Sequence, residues 1–137
     1  NRLNGLDYYQ QKHPKSLSRE WLETTFIPVV ENFRLSAEDT LRTVYEHFAM
    51  QIASVLNRHS CGKTLVTGGG VYNEFLMDLI AQRTISSLEI PDSILVKYKE
   101  ALVFALLGVL RYRNEINCFA SVTGARCDSS TGVVYHI

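Results

Sequence analysis

The sequence predicts an α/β fold, with parallel strands and helices packed against them, and three observations carry this. Thr64 to Thr67 is a run of strand formers that enters three consecutive glycines, Gly68 to Gly70. Beyond them Tyr72, Phe75, Leu76, Leu79 and Ile80 recur at the three- and four-residue offsets of a helix. Ser87 to Ile90 then reads as a second strand, closed by Pro91-Asp92. Strand, helix, strand and a further helix in that order imply a parallel layer with right-handed crossover.

The elements follow along the chain. Residues 1–35 are the least regular, a docking segment in which Leu3, Leu6, Tyr8 and Tyr9 form a short amphipathic turn. His13-Pro14 interrupts it, since a proline biases the residue before it away from helix. Ser18 caps a short helix through Trp21 and Leu22, and Pro28 forces a break or restart. Residues 36–137 form the α/β core. Ser36 and Asp39 make an acidic variant of the capping box. The stripe Leu41, Val44, Tyr45, Phe48, Ala49, Ile52, Ala53 and Leu56 then predicts a helix from about Ala37 to Arg58. Glu38 stands four residues before Arg42 for a helix-surface pair, and Cys61-Gly62 ends the element. A third helix is expected from Lys97 to Arg113. It is apolar nearly all round from Ala101 to Leu110, so it should be deeply packed. Thr131 to Ile137 reads as a final strand.

Composition narrows the function. The 137 residues are 46% hydrophobic and 20% charged, which describes an ordinary globular chain of one domain. Fourteen basic residues balance fourteen acidic ones with no Lys/Arg cluster, so no nucleic-acid footprint is visible. The longest apolar run is about half the ~20 residues of a membrane span. No signal peptide opens the chain, and Asn1 is not an initiator methionine, which suggests a piece of something longer. Cys61, Cys118 and Cys127 are odd in number and lack C-x-x-C spacing, which fits free buried thiols in a reducing cytoplasm. The four histidines, His13, His47, His59 and His136, are scattered, as scaffold or surface residues would be. No metal site is expected.

The glycine turn carries the chemistry. Glycines let backbone approach a ligand and adopt positive φ, and a helix start offers unpaired N–H groups to an anion. Gly62-Lys63-Thr64 is not the end of a P-loop, because Asn57 stands where that motif needs glycine and a strand follows where it needs a helix. Gly68 and Gly70 fit the G-x-G of a dinucleotide fingerprint, but Asn73 replaces the third glycine; Glu89 would be the ribose-binding acid. A tight turn without any ligand is the remaining alternative.

Leu65-Val-Thr-Gly-Gly-Gly-Val-Tyr-Asn-Glu-Phe-Leu76 resembles the adenosine motif of the sugar-kinase, Hsp70 and actin superfamily. More narrowly, four segments in order resemble the C-terminal part of anhydro-N-acetylmuramic acid kinases. They are His13-Pro-Lys-Ser-Leu-Ser-Arg-Glu-Trp-Leu22, Ser36-Ala-Glu-Asp-Thr-Leu-Arg-Thr43, Lys99-Glu-Ala-Leu-Val-Phe-Ala105 and Ser121-Val-Thr-Gly-Ala125. One departure is Ser18, where that family usually has glycine; it leaves open the local shape and role of Lys15 to Glu20.

The resemblance implies residues 1–137 as a single C-terminal lobe of an actin-like ATPase (ribonuclease H-like) fold, with the N-terminal lobe absent. It implies a cytoplasmic kinase that uses ATP and Mg2+ to open anhydro-N-acetylmuramic acid and phosphorylate its 6-hydroxyl in peptidoglycan recycling, as a homodimer. Gly68, Gly69 and Gly70 would lie against ribose and phosphates. Asn73 would fix that turn or the ligand, or serve only as a helix cap. Glu100 would bind sugar hydroxyls, or merely favour the positive end of its helix. Lys15 and Arg19 are placed at phosphate or sugar, or in packing; Lys97 and Lys99 are solvated. No catalytic carboxylate matches a motif in this chain. Two other readings stand beside this one: an NAD-binding Rossmann-like module and a non-catalytic partner-binding domain.

Overall fold

The structure, a computed structural model, describes residues 2–12, 15–59 and 62–135. It divides into two compact units, Asn1–Pro91 and Asp92–Ile137. Among the described residues no helix is long and apolar enough to cross a membrane. The expectations for His13-Pro14, Cys61, His136 and the last two residues lie outside what is described.

The first unit is built on helix α4 (Ala37–Arg58). Its start is fixed as the sequence predicts: Ser36 Oγ accepts from the Asp39 N–H at 3.1 Å, and Asp39 Oδ2 accepts from the Ser36 hydroxyl at 2.9 Å. The second bond goes to the hydroxyl rather than to the Ser36 backbone, as befits a side chain one carbon shorter than glutamate. Ala49 and Ala53 face the core, but Leu41, Phe48 and Ile52 of the predicted stripe are exposed and His47 is buried in their stead. The predicted Glu38–Arg42 pair does not form. Arg42 instead donates to Glu46 at 2.9 and 2.7 Å, because its guanidinium is drawn forward over the Phe75 ring, 5.1 Å from the centroid.

Before α4, a 3-10 turn (Leu3–Gly5), α1 (Asp7–Gln10), α2 (Arg19–Trp21) and α3 (Ile27–Glu31) form the docking segment. Ser18 caps α2 as expected, accepting from the Trp21 N–H at 3.1 Å. Of the break or restart expected at Pro28 the structure shows the restart: α3 begins at Ile27, with Pro28 in its first turn. A π turn (Leu22–Phe26) joins α2 to α3, and the Ile27 N–H donates to Leu22 O five residues back. The wider turn supplies the bond before Pro28, where the pyrrolidine ring would clash with a regular ladder. Leu3, Phe26 and Val30 form one core with Trp21 and Val44 packed against it.

His47 ties this segment to α4. Its Nδ1 donates to Asn4 Oδ1 at 2.9 Å, which also takes Gln51 Nε2–H at 3.0 Å; its Nε2 then accepts from the Tyr9 hydroxyl at 2.8 Å. Asn4 Oδ1 can only accept, so Nδ1 carries the proton of the neutral imidazole. Burial holds the His47 imidazole below its ordinary value and, with Tyr8, pushes the Tyr9 phenol up. Depression of the folded value means that the unfolded chain takes up a proton first. This contribution is therefore complete above about pH 6.5 and is lost as pH falls through the folded value. Urea midpoints should drop between pH 7 and 5, and His47→Gln should flatten that slope. An unchanged slope would assign the acid sensitivity to other groups.

After α4, β1 (Lys63–Leu65) pairs in parallel with β2 (Ser87–Glu89) in the register Lys63 to Ser87, Thr64 to Leu88 and Leu65 to Glu89. The Val66 N–H extends the pairing to Glu89 O at 2.8 Å. Helix α5 (Glu74–Ala81) crosses between the strands, and Leu79 and Ile80 pack with Ala49 of α4 in a second core. Asn57 holds the approach to β2: it donates to Arg83 O at 2.9 Å and accepts from the Ile85 N–H at 2.9 Å. The parallel βαβ order predicted from sequence is thus present, in a sheet of two strands.

The second unit is α6 (Ser93–Tyr112), α7 (Ala120–Thr123) and an irregular tail. Helix α6 starts four residues earlier than predicted because Asp92 caps it, accepting from the Ile94 and Leu95 N–H groups at 2.9 and 3.0 Å. Deep packing is not found: Val96 is buried, whereas Leu102, Val103, Phe104, Leu106 and Val109 are exposed, Phe104 by 72%. An apolar helix packs deeply only where other chain covers it, and these residues have no such cover. Nor is the final strand found over residues 131–135. Side chains take its backbone groups instead: Asn117 Oδ1 accepts from the Thr131 N–H at 2.8 Å, and Arg111 Nε donates to Gly132 O at 2.9 Å. Cys118 is half-buried and Cys127 exposed, so the expected burial of the thiols fails in this tail.

Candidate functional site

Between β1 and α5 the chain does not pass directly from glycines to helix. A 3-10 turn (Gly69–Tyr72) intervenes, with the Val71 N–H donating to Gly68 O and the Asn73 N–H to Gly70 O, both at 3.1 Å. Of the three glycines only Gly68 has positive φ, at 93°. That is the position where a Cβ would strain the backbone. Gly69 and Gly70 have ordinary φ, yet a Cβ built on either meets no other atom within 4 Å. Their N–H groups precede the first bond of the turn. The turn therefore presents bare backbone to open space. Just before it, Thr67 Oγ1 is a buried polar atom without a hydrogen-bond partner among the described residues. A buried hydroxyl left unpaired costs about 1–3 kcal/mol. The sequence shows Thr67 only as a strand former; its place directly before the glycines was the available signal.

Asn73 is engaged at both ends of its amide. Oδ1 accepts from the Leu76 N–H at 3.0 Å and caps α5, and Nδ2 donates to the Tyr45 hydroxyl at 2.9 Å. The cap takes one of the helix-start N–H groups that were expected to face a ligand. Glu46 accepts from Arg83 as well as from Arg42, so α4 also holds the far end of α5.

Glu100 lies in the other unit, exposed and two turns inside α6. A charge there is beyond the first turn, where a helix dipole acts, so the dipole explanation of this residue is removed. Its carboxylate makes no hydrogen bond or ion pair among the described residues. Lys97 is exposed and Lys99 half-buried. Lys15 donates to Tyr8 O at 2.9 Å and stands 4.5 Å from the Tyr8 ring centroid, and Arg19 pairs with Glu23 at 2.7 Å. Both are thus held within the docking segment. Glu89 pairs with Lys63 at 2.5 Å, which occupies the carboxylate that a dinucleotide site would need. A cleft of about 500 Å3 opens in the first unit between residues 2–4, α3 and α4, and none of the glycines lines it. Among the described residues no three His, Cys, Asp or Glu side chains gather as a metal site would require.

Sheet and turn define an α/β protein with a parallel βαβ unit and a glycine turn at the carboxyl end of its first strand. The family is more particular. The model of the anhydro-N-acetylmuramic acid kinase family matches residues 1–137, and the chain belongs to that family. It is 33% identical over 137 residues to the anhydro-N-acetylmuramic acid kinase of Sulfurovum sp. (strain NBC37-1), covering 93% of this chain and 36% of that protein. The enzyme of the same name from Aliivibrio fischeri (strain ATCC 700601 / ES114) is 30% identical over 146 residues, 98% of this chain and 39% of its own. That of Streptomyces coelicolor (strain ATCC BAA-471 / A3(2) / M145) is 30% identical over 141 residues, 93% and 34%. The chain thus spans somewhat over a third of the length of the curated relatives it matches. No solved structure matches it at a significant level.

Proposed function

We propose that these residues form the C-terminal lobe, of actin-like fold, of a two-lobed kinase acting on anhydro-N-acetylmuramic acid. The full enzyme would open the anhydro bond and phosphorylate the 6-hydroxyl in peptidoglycan recycling. Its compartment would be the cytoplasm and its assembly a homodimer. The observation that carries the reading is the bare glycine turn, in a chain that the family matches from end to end. Gly68 to Gly70 would receive the ribose and phosphates of ATP on backbone N–H groups, with Thr67 Oγ1 completing its hydrogen bonding there. Asn73 would hold the turn's exit. ATP supplies the phosphoryl group. Mg2+ belongs to the same reading, held chiefly by the nucleotide's phosphates and water, since among the described residues no three His, Cys, Asp or Glu side chains gather. Glu100 would accept hydrogen bonds from sugar hydroxyls. The apolar side chains exposed along α6 fit a lobe that meets further protein.

The test is Gly69→Val in the full-length enzyme. A Cβ at Gly69 meets no protein atom within 4 Å and no positive φ, so the turn should fold around the substitution. It would stand where the nucleotide approaches, and the KM for ATP should rise about ten-fold, a loss of ~1.4 kcal/mol, with the sugar KM unchanged. An unaltered KM for ATP in a folded variant would reduce Gly68 to Gly70 to a structural turn.

A further inference from the structure

We propose that Tyr45 is a positioning residue for the nucleotide, an inference that rests on the glycine turn being the nucleotide site. Helix α4 grips α5 in three places. The Tyr45 hydroxyl takes Asn73 Nδ2–H at 2.9 Å. The Tyr45 ring meets Phe75 edge-on at 5.8 Å, with the Arg42 guanidinium over the same ring. Glu46 holds Arg83 beyond the helix end. Only the first contact reaches the glycines, through a short chain of bonds: Tyr45 hydroxyl to Asn73 amide, and Asn73 N–H to Gly70 O at 3.1 Å. Gly69 and Gly70 have no side chains to pack, so the turn is held by its two backbone bonds, by the buried Val71 and by what anchors Asn73 at its exit. The tether from a 22-residue helix supplies that anchor.

Backbone that must hold an anion binds it more tightly when it is ordered beforehand, since ordering then costs nothing at the moment of binding. Tyr45→Phe removes the hydroxyl and keeps the ring on Phe75. Asn73 is only half-buried, so water can take the freed N–H and the fold should survive. The loosened turn should raise the Kd for ADP about three- to ten-fold, while the sugar KM and the melting temperature stay nearly unchanged. Asn73→Ser is the second variant: serine still caps α5 but is too short to reach Tyr45.

Calorimetry with ADP on the full-length protein decides the matter, with Gly69→Val alongside. Support requires that Tyr45→Phe and Asn73→Ser weaken binding alike and that the double variant be no weaker than either, the non-additivity of a shared path. If Asn73→Ser costs as much in the Tyr45→Phe background as in the wild type, Asn73 touches nucleotide directly and the Tyr45 role is overturned. A Tyr45→Phe variant that loses melting temperature but not ADP affinity overturns it too. If Gly69→Val weakens ADP and Tyr45→Phe does not, the site stands and Tyr45 falls. If Gly69→Val leaves ADP binding intact, the site itself is misplaced and the inference falls with it.

Discussion

A protein made of these 137 residues alone is expected to transfer no phosphoryl group from ATP to the anhydro sugar and to bind adenine nucleotide weakly at most. Phosphoryl transfer gains its rate from positioning and from charge stabilisation around the γ-phosphate. On the proposed reading the glycine turn would supply only one wall of such a site, and the catalytic carboxylate would come from outside these residues. The relatives named as kinases are far longer, with 34% to 39% of their length matched. A coupled ADP-release assay with the anhydro sugar measures the activity, and circular dichroism shows whether the helices are intact. Robust turnover by the folded chain would end the two-lobe reading. Full-length protein in the same assay should be active.

In the full-length enzyme, Glu100→Gln should lower kcat/KM for the sugar roughly ten- to hundred-fold and leave ADP affinity alone. A carboxylate that accepts from sugar hydroxyls forms charge-assisted bonds worth ~1.5–3 kcal/mol each, and ~1.4 kcal/mol is a factor of ten. Position in α6 sharpens the test. Two turns from the helix start and without a partner among the described residues, Glu100 stabilises nothing that glutamine would not, so melting should not change. Unchanged sugar kinetics would remove Glu100 from the site.

Local rules were legible in the sequence wherever neighbouring residues decide the outcome. Ser36 and the stripe behind it delimit α4 at Ala37 and Arg58, and the strand formers on either side of α5 pair in parallel. The start of α6 was also available. Asp92, read as the close of a strand, is also among the strongest cap residues. Other features depend on partners distant in sequence. Tyr45 counts as apolar in a periodic stripe, and only its distance to Asn73 reveals the hydroxyl's use. Arg42 chooses Glu46 over Glu38 because of Phe75, which lies on another helix. For α6, hydrophobicity announces that a surface wants cover and says nothing of which chain provides it. The site divides the same way: the glycines were readable, whereas which position requires glycine and which is merely open is settled by φ and by space.

The π turn at Leu22–Phe26 has a consequence for the evolution of this segment. A loop closed over five residues rather than four holds one residue more than the helix around it. A chain that lost any one of Leu22 to Thr25 would relapse into a continuous α-helix in which Phe26 and Val30 keep their facing toward Leu3, because the wider turn absorbs its extra residue locally. Pro28 would then meet an unaccommodated carbonyl in a regular ladder. A single-codon deletion here thus trades an accommodating turn for a clash in the backbone, whereas most substitutions at the exposed Leu22, Glu23 and Thr24 alter one side chain. Relatives that diverge freely in residue identity across this stretch should nonetheless keep its count.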